Sequence, residues 1–219
     1  MRRKFGWTVL LLLLSCGVSA QTLIFEVGGG LASHYGSSRT IGAFRLGLGY
    51  ELELDNQWSV TPSLVYYAKG WKDKNQEVLV YDDKGNVQLD KEGNEMKGVM
   101  NVTTNTNYVE LPVVLNYRIA MDNVHNVVIS AGPYVAYGVG GEAKTYGDTK
   151  QTGAARFYYT HPIFSQKNMH RFDTGITAGA NYSFTQQFSA GVLADFGLAN
   201  VDTSGSKNLS MVVSLAYRF

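Results

Sequence analysis

The few side chains that could carry hydrolytic chemistry are histidines and serines. Nucleophilic catalysis needs a hydroxyl or thiol beside a general base, and histidine is the usual base. His34 stands just before Ser37 and Ser38, whereas His161 and His170 lie much later in the chain. Because no spacing ties these residues into a triad, each histidine is interpreted as a surface residue. An enzyme that modifies lipid stays open as an alternative.

Two further patterns could bind ligands, and we interpret both as structural. The polar segment Gly70–Asn105 carries acidic residues between Tyr81 and Asn94, but their positions do not follow the spacing of a calcium-binding EF-hand. We therefore expect a solvated hairpin there. Gly28–Gly30 and Gly138–Gly141 lack the lysine of a phosphate-binding loop and the spacing of a dinucleotide site. Close packing is the expected role of these glycines, and no metal or cofactor is expected.

The composition is typical of a single all-β domain without a nucleic-acid partner. The chain has 219 residues, of which 17% are charged, and its formal net charge is +1, so no basic surface is indicated. It contains 24 glycines and 14 tyrosines but only 4 prolines, a balance that suits closely packed strands. After residue 20 no second long apolar segment follows, so no transmembrane helix is predicted.

The first residues have the pattern of a secretory signal peptide. Arg2–Lys4 supply positive charge, residues 9–14 form an apolar core, and Val18–Ala20 supply the small residues before a cleavage site. We therefore predict a signal peptide at residues 1–20 and a mature domain at residues 21–219. The single cysteine, Cys16, lies in the signal, so the mature chain has no disulfide. Lipidation of Cys16 is the alternative outcome.

Apolar residues recur at every second position along much of the mature chain. Between Ala43 and Leu54 the even-numbered residues from Phe44 onward are apolar, whereas the odd-numbered residues include Arg45 and Glu51. A strand gathers such residues on one side, whereas a helix would scatter them around its circumference. Seven other segments show the pattern less sharply: Thr22–Ser33, Trp58–Trp71, Thr106–Ile119, Val127–Gly140, Arg171–Phe184, Phe188–Asn200 and Lys207–Phe219.

The connections between these segments alternate in length. Residues 55–57, 121–126 and 185–187 form short turns, whereas Gly70–Asn105 and Gly141–His170 form long links. Short turns at one end and long loops at the other are typical of outer-membrane barrels, and an even strand count places both termini at the periplasmic end. We therefore predict an all-β, eight-stranded antiparallel up-and-down transmembrane β-barrel, surrounded by the lipid of a bacterial outer membrane.

The residues opposite the apolar face favour a membrane barrel over a soluble barrel that holds a ligand. A soluble barrel turns charged residues to water, but here the second face is mainly Gly, Ser, Ala, Thr and Asn, which fit a narrow lumen. A periplasmic ligand binder and a small-solute channel stay as alternatives. Its few charges should pair, because an isolated buried charge is costly. We predict a side-chain-filled lumen with an ion-pair network of Arg45, Glu51, Lys69, Glu110, Arg171, Asp173 and Asp195.

Four short stretches resemble a known group of membrane proteins. Tyr108–Pro112, Ala131–Tyr134, Arg171–Gly175 and Leu215–Phe219 are similar to the outer-membrane β-barrel "porin family" (PorT-like) proteins of Bacteroidetes. The resemblance implies an eight-stranded outer-membrane barrel, commonly of unassigned function. The family pattern has a proline at Pro112, which removes a ladder hydrogen bond, so we expect a bulge there.

These observations favour a non-catalytic barrel that serves structure, surface interaction or assembly of a secretion complex. Loop tips carry specificity in such scaffolds, so a protein partner is expected at the two long links, Gly70–Asn105 and Gly141–His170. Outer-membrane lipid and the barrel-assembly machinery are the other expected partners.

The end of the chain predicts a signal for barrel assembly. Phe219 and Tyr217 complete an apolar face that also contains Leu215, Val213 and Met211. Deletion of Phe219 should lower membrane insertion, because the assembly machinery is expected to read this aromatic end. The fraction of the protein recovered in outer membranes measures the effect. Normal insertion of the truncated chain would contradict the prediction.

Overall fold

The computed structural model describes residues 21–36, 39–82, 84, 86–122, 124–147 and 157–219. The predicted signal peptide with Cys16, and also Ser37 and Ser38, lie outside the described residues. No helix in the described ranges is long and apolar enough to cross a bilayer. One 3-10 turn (Ile163–Ser165) accompanies the strands β1 (Gln21–His34), β2 (Ile41–Glu53), β3 (Trp58–Leu79), β4 (Lys97–Ala120), β5 (Asn126–Gly147), β6 (Phe157–Pro162), β7 (Phe172–Ser183), β8 (Phe188–Gly197) and β9 (Asn208–Arg218).

Eight of these strands form a closed antiparallel ring. Neighbours along the chain pair with each other, β5 pairs directly with β7, and β9 pairs with β1. Beyond the last pair, the N–H of Phe219 donates to the carbonyl of Leu23 at 3.0 Å. β6 lies outside the ring and pairs with the far end of β5. The predicted eight-stranded all-β barrel is confirmed.

Three neighbouring strands are much longer than a bilayer requires. β3, β4 and β5 have 22, 24 and 22 residues, whereas about 9–11 residues span a membrane in a tilted strand. The prediction that Gly70–Asn105 and Gly141–His170 are loops is therefore wrong for much of their length, because the barrel strands continue into both segments. The residues of β3, β4, β5 and β6 within those two segments form what we call the extramembrane sheet.

Apolar side chains face outward, and charged side chains face the lumen. In β2, Leu46 and Leu48 are 37% and 51% exposed, whereas Arg45 and Glu51 are 3% and 1% exposed. This orientation confirms the prediction, since a soluble barrel would show the opposite pattern. The hydrocarbon of the membrane is therefore the medium that buries the apolar face.

The aromatic end of the chain lies on the outer face. Phe219 is 72% exposed, and its ring centroid lies 4.9 Å from that of Tyr217. Tyr217 in turn lies 4.9 Å from Phe188, so the three rings form a continuous aromatic edge at the periplasmic end. Such rings anchor a barrel at the membrane interface. Recognition of this edge by assembly machinery stays a prediction.

The periplasmic turns share one hydrogen-bonding pattern. The side-chain oxygens of Asp55, Asp122 and Thr185 each accept two backbone N–H groups, from the residues two and three positions later. These bonds satisfy backbone donors that the ladders leave open where the chain reverses. The backbone N–H groups of His125 and Val124, with the ring of His125, lower the pKa of Asp122 to about 2. The carboxylate that holds this turn is therefore ionised at neutral pH.

The glycine groups Gly28–Gly30 and Gly138–Gly141 contain positions where neighbouring atoms leave no room for a side chain. A Cβ on Gly30 would overlap the carbonyl oxygen of Met211 in β9, and a Cβ on Gly138 would overlap the ring of Phe164. Any larger residue at these positions would push a neighbouring strand or ring aside. The predicted role in close packing is confirmed.

Pro112 does not form the predicted bulge. The pairs of β4 with β3 and with β5 keep one register on both sides of Pro112, and the β4–β5 register shifts between Asn107 and Tyr108 instead. A proline removes one donor from a ladder, but it does not require the extra residue that a bulge contains. The ladder around Pro112 therefore lacks one hydrogen-bond donor but keeps its register.

Candidate functional site

Six charged side chains from six different strands meet in the lumen. Five of the six are at most 3% exposed. Five of the seven residues predicted for the lumen network are among them. We call this group the central cluster, and its members are Glu26 of β1, Arg45 of β2, Lys69 of β3, Glu110 of β4, Asp173 of β7 and Asp195 of β8.

Arg45 joins three carboxylates of the central cluster. Its Nε lies 2.9 Å from Oε1 of Glu26, and its Nη1 lies 3.0 Å from Oε1 of Glu110 and 3.4 Å from Oδ2 of Asp195. A guanidinium carries five N–H donors in a fixed fork, so one arginine can serve several acceptors at once. Arg45 therefore ties β2 to β1, β4 and β8.

Lys69 forms the most deeply buried pairs. Its Nζ lies 3.1 Å from Oδ2 of Asp173 and 3.4 Å from Oε2 of Glu110, and all three side chains are 0% exposed. Glu110 therefore accepts from both Lys69 and Arg45, which makes the cluster one connected network. Removing either cation would leave buried carboxylates without compensation.

Three tyrosine rings surround the ammonium group of Lys69. Nζ lies 5.1 Å from the ring centroid of Tyr67, 4.9 Å from that of Tyr108 and 5.0 Å from that of Tyr134. The faces of aromatic rings attract cations at such distances, most strongly where water is excluded. The tyrosines therefore fill the lumen around the charge and also stabilise it.

The central cluster has four carboxylates and two cations, and neutral groups donate further hydrogen bonds to two of the carboxylates. Oγ1 of Thr177 donates to Oδ1 of Asp195 at 2.6 Å, and Nδ2 of Asn208 donates to Oδ2 of Asp173 at 2.8 Å. The hydroxyl of Tyr134 also donates to Asp173, at 3.3 Å. Hydrogen bonds to ionised acceptors are stronger than those between neutral groups.

Glu51 belongs to a separate cluster nearer the periplasm, which corrects its predicted place in one network. Its Oε1 lies 3.1 Å from Nη2 of Arg118, and its Oε2 lies 3.1 Å from Nη1 of Arg218. Arg118 also pairs with Glu53 at 3.3 Å. We call these four residues the mouth cluster. Its arginines and Glu53 have side chains 20–32% exposed, so water reaches this cluster.

Small polar side chains fill the lumen between the two clusters. Nδ2 of Asn116 donates to Oγ1 of Thr61 at 2.8 Å and to Oγ of Ser59 at 3.1 Å, while Ser130 donates to Oδ1 of Asn116 at 2.7 Å. A cavity of about 90 Å³ remains beside them, lined in part by Gly47. Such a polar cavity can hold ordered water, but successive layers of bonded side chains lie across the path of a solute.

Arg171 lies above the central cluster, which corrects its predicted part in the ion-pair network. Its Nη1 donates to the carbonyl of Gly138 at 2.8 Å, and its guanidinium carbon lies 5.0 Å from the ring centroid of Phe164. Phe164 follows the start of the 3-10 turn and meets the ring of Tyr108 edge-on at 5.9 Å. Arg171 and Phe164 therefore cap the lumen.

Two of the three candidate catalytic histidines, His34 and His161, line one cavity at the extracellular end, whereas His170 is not among its lining residues. Nε2 of His34 lies 3.6 Å from Asp73, and its Nδ1 lies 2.8 Å from the carbonyl oxygen of Tyr35. Nδ1 of His170 lies 3.0 Å from the carbonyl oxygen of Asn200. No group of three or more His, Cys, Asp or Glu side chains in the described part of the chain is arranged to bind a metal ion.

Four lumen residues are missing from the network that the sequence predicts. Glu26 completes the pairs of Arg45, and Tyr67, Tyr108 and Tyr134 surround Lys69. Alternation held a signal for all four. Glu26 occupies the face opposite Phe25 and Val27, Tyr67 shares its face with Lys69, Tyr108 shares its face with Glu110, and Tyr134 occupies the face opposite Val135. Nothing in the sequence indicates that three tyrosines from three strands meet at one ammonium group.

The closed ring, the outward apolar face and the filled lumen define an outer-membrane β-barrel protein. The chain belongs to the family described as "Outer membrane protein beta-barrel domain", whose model matches residues 14–203. The comparison with curated proteins gives no match.

Several solved barrels share low sequence identity with this chain. Ail, the attachment invasion locus protein of Yersinia pestis, is 12% identical, with 91% of this chain and 97% of that chain covered and a TM-score of 0.41. Neisserial surface protein A is 11% identical, with coverages of 91% and 97% and a TM-score of 0.44. The N-terminal barrel domain of Pseudomonas aeruginosa OprF is 13% identical, with coverages of 90% and 97% and a TM-score of 0.37.

Replacing Lys69 with methionine should strongly destabilise the barrel. The variant Lys69→Met leaves Glu110 and Asp173 buried without their shared cation, and breaking such a pair lowers the free energy of unfolding by about 3–5 kcal/mol. Urea unfolding in phospholipid vesicles measures the change. Adding Asp173→Asn should restore part of the loss, since one of the two stranded charges is then removed.

Lys97 offers a matched control for this substitution. Lys97 and Glu77 pair at 3.3 Å, but their side chains are 65% and 72% exposed, and such surface pairs contribute about 0–1 kcal/mol. Lys97→Met should therefore leave unfolding nearly unchanged. Equal effects of the two substitutions would show that burial of the Lys69 pairs does not stabilise the barrel.

Proposed function

We propose that this protein is a non-catalytic outer-membrane barrel with a closed lumen that holds an extramembrane sheet in place for binding a protein partner. Such binding would serve surface interaction or the assembly of a secretion complex. The length of β3, β4 and β5 is the observation that carries the proposal. A barrel that served only as a membrane plug would need no strands beyond the bilayer.

The extramembrane sheet is continuous with the barrel wall. The β3–β4 ladder runs from Trp58 and Tyr117 to Leu79 and Lys97. About ten residues of each long strand lie beyond the membrane, which at about 3.3 Å per residue is a length of about 30 Å along the strand. A platform that shares its backbone hydrogen bonds with the barrel loses little conformational freedom when a partner binds, which favours binding.

Hydrogen bonds also order the described residues at the tip of this sheet, which are residues 80–82, 84 and 86–96. Val80 donates to Met96 at 3.0 Å, Met96 donates to Gln88 at 2.8 Å, and Gln88 donates to Val80 at 2.8 Å, so three backbone bonds form a closed cycle. Two tight turns extend from the cycle. In each turn an aspartate, Asp82 or Asp90, accepts backbone N–H groups from residues two and four positions later.

Apolar side chains stand exposed on this ordered tip. Tyr81 and Leu89, which precede the aspartates of the two turns, are 44% and 59% exposed, and Met96 is 39% exposed. These side chains project from the end of the sheet beyond the bilayer, where lipid does not cover them. An exposed apolar group on a rigid support supports a role in protein binding.

The resemblance to PorT-like proteins of Bacteroidetes supports the choice of a secretion or surface role. Two of its four stretches lie in β4 and β5, and the other two overlap β7 and β9. Export through a signal peptide cleaved after Ala20, insertion by the barrel-assembly machinery and contact with outer-membrane lipid belong to the same proposal. A barrel of this family would need these three steps to reach the outer membrane.

Partner binding should depend on the apolar side chains of the tip. The double variant Tyr81→Ser and Leu89→Ser should lose a protein that the intact barrel captures from a detergent extract of its own cells, because the apolar contacts are removed. The control is Lys84→Ser with Lys91→Ser, which changes the same tip without removing apolar surface and should keep the partner. Quantitative mass spectrometry of the captured proteins measures both.

A larger deletion tests the sheet itself. Asp73 pairs with Val102, so replacing residues 74–101 by Asn-Gly closes a short hairpin at that level. A barrel shortened in this way should insert normally and capture nothing that depends on the tip. Identical sets of captured proteins from all variants would exclude the tip as the binding surface.

The closed lumen predicts the absence of steady conductance, in contrast to the alternative of a small-solute channel. The intact barrel in a planar lipid bilayer should show no stable current steps, because the central cluster and the Asn116 layer cross the lumen. The double variant Arg45→Ala and Lys69→Ala should leak if it inserts, since both cations that hold the cluster are lost. Large steady steps from the unaltered protein would favour the channel.

A further inference from the structure

A blind cup opens above the capped lumen at the extracellular end. It has a volume of about 570 Å³. It is lined by β3, β4, β5 and β6 of the extramembrane sheet, the end of β1, the segment after β6 and the loop between β8 and β9. Its lining includes Trp71, Thr104, Ala143 and Ile163, each at most 3% exposed. A volume of this size suits a small molecule, since ligand sites typically measure about 300–1,000 Å³.

The charged groups of the cup disfavour a charged ligand. The described lining residues include no lysine or arginine, and their basic groups are the imidazoles of His34 and His161. An anion would therefore meet two carboxylates and no lysine or arginine to bind it. The two carboxylates are already engaged. Asp73 accepts a hydrogen bond from Nε1 of Trp71 at 3.1 Å and faces His34, and Asp202 accepts the backbone N–H of Ser206 at 2.9 Å. A cationic ligand would have to displace these contacts.

The remaining lining combines neutral hydrogen-bonding groups with apolar patches. Hydroxyls come from Thr104, Thr145, Ser204 and Ser206, and side-chain amides come from Gln76, Gln166 and Asn168. Apolar surface comes from Met100, Val102 and Met169 on the facing walls. A ring that carries hydroxyls at its edge and C–H groups on its faces matches such a lining, and these are the features of a sugar.

Gln166 adds an independent sign of a missing partner. Its Nε2 is buried, yet the described residues supply no hydrogen-bond acceptor for it. Buried amide donors in folded proteins are nearly always paired with protein, water or ligand. A hydroxyl oxygen of a bound sugar, or a water displaced by it, would satisfy this donor.

We propose that the cup binds a neutral sugar of one or two rings. The site goes beyond the proposed protein partner, which would contact the tip and not the cup. The neutral class follows from the engaged carboxylates and the absence of lysine and arginine, and the sugar class follows from the mixture of hydroxyl, amide and apolar lining.

The chain offers a convenient fluorescent probe of this site. Trp58 and Trp71 are the only tryptophans after residue 20, and Trp58 lies on the lipid face at the periplasmic end. In the variant Trp58→Phe, purified from outer membranes in detergent, Trp71 therefore reports on the cup. The ligands to titrate are N-acetylglucosamine, maltose and cellobiose, with glucosamine as the cationic analogue and glucose 6-phosphate as the anionic one.

At least one neutral sugar should change the Trp71 fluorescence saturably, with an affinity at least about tenfold higher than that of either charged analogue. Adding Thr145→Phe should abolish the change by filling the cup. Thr103→Phe, on the opposite face of β4, should leave it intact. Gln166→Ala only shortens a side chain and should weaken binding even if Thr145→Phe fails to fold.

Three outcomes would overturn the proposal. They are the absence of saturable change with all the neutral sugars, tighter binding of a charged analogue, and unaltered binding in both Thr145→Phe and Gln166→Ala. None of them bears on the protein partner, because the point variants of the capture experiment, at Tyr81, Leu89, Lys84 and Lys91, change no residue that lines the cup. The shortened barrel loses Gln76 and Met100 of the cup and is therefore not used to separate the two proposals.

Discussion

An ammonium group that no solvent reaches must be neutralised by its neighbours, and the neighbours of Lys69 come from distant parts of the chain. Asp173 is 104 residues away, and Arg45 reaches Asp195 across 150 residues. These pairs exist only when the ring is closed, and a closed ring of eight strands has space inside for little more than its own side chains. Closure and charge pairing therefore depend on each other.

Closure of the ring around paired charges also determines which surfaces of the protein can bind other molecules. Because bonded layers of side chains fill the lumen, we expect the interior neither to bind a large ligand nor to conduct solutes. The outer face is committed to lipid. What remains is the part of β3, β4, β5 and β6 beyond the membrane, together with the cup that these strands enclose above Phe164 and Arg171. A filled barrel gives both surfaces a fixed base.

Alternation predicts strands well only where the two faces meet different media. In β2 one face meets lipid and the other the lumen, and the sequence shows it residue by residue. From Asn101 to Asn107 hydroxyl and amide residues occupy both faces with one valine among them, because this part of β4 lies outside the bilayer. The period-two signal is lost there although the strand continues. The length of the extramembrane sheet was therefore hidden from the sequence.

The sequence gives the distance between two residues of the same strand. It does not give the relative heights of residues on different strands of the barrel. Glu51 lies six residues from Arg45, which is about 20 Å along a strand at about 3.3 Å per residue, so the two cannot share one cluster. Which residues of other strands lie level with them depends on the stagger of the closed ring. The identity of the inward charges was therefore predictable, but their division into a central and a mouth cluster was not.

The stretches that carry the resemblance to PorT-like proteins contain two of the six residues of the central cluster and two of the three tyrosines around Lys69. Glu110 and Tyr108 lie in the first stretch, Tyr134 in the second and Asp173 in the third. The resemblance therefore concerns how the interior of the barrel is filled. None of the four stretches reaches the tip at residues 80–96 or contributes a residue to the lining of the cup. The resemblance therefore says nothing about the surfaces outside the membrane, and we look for the task specific to this chain in the strands that leave the membrane.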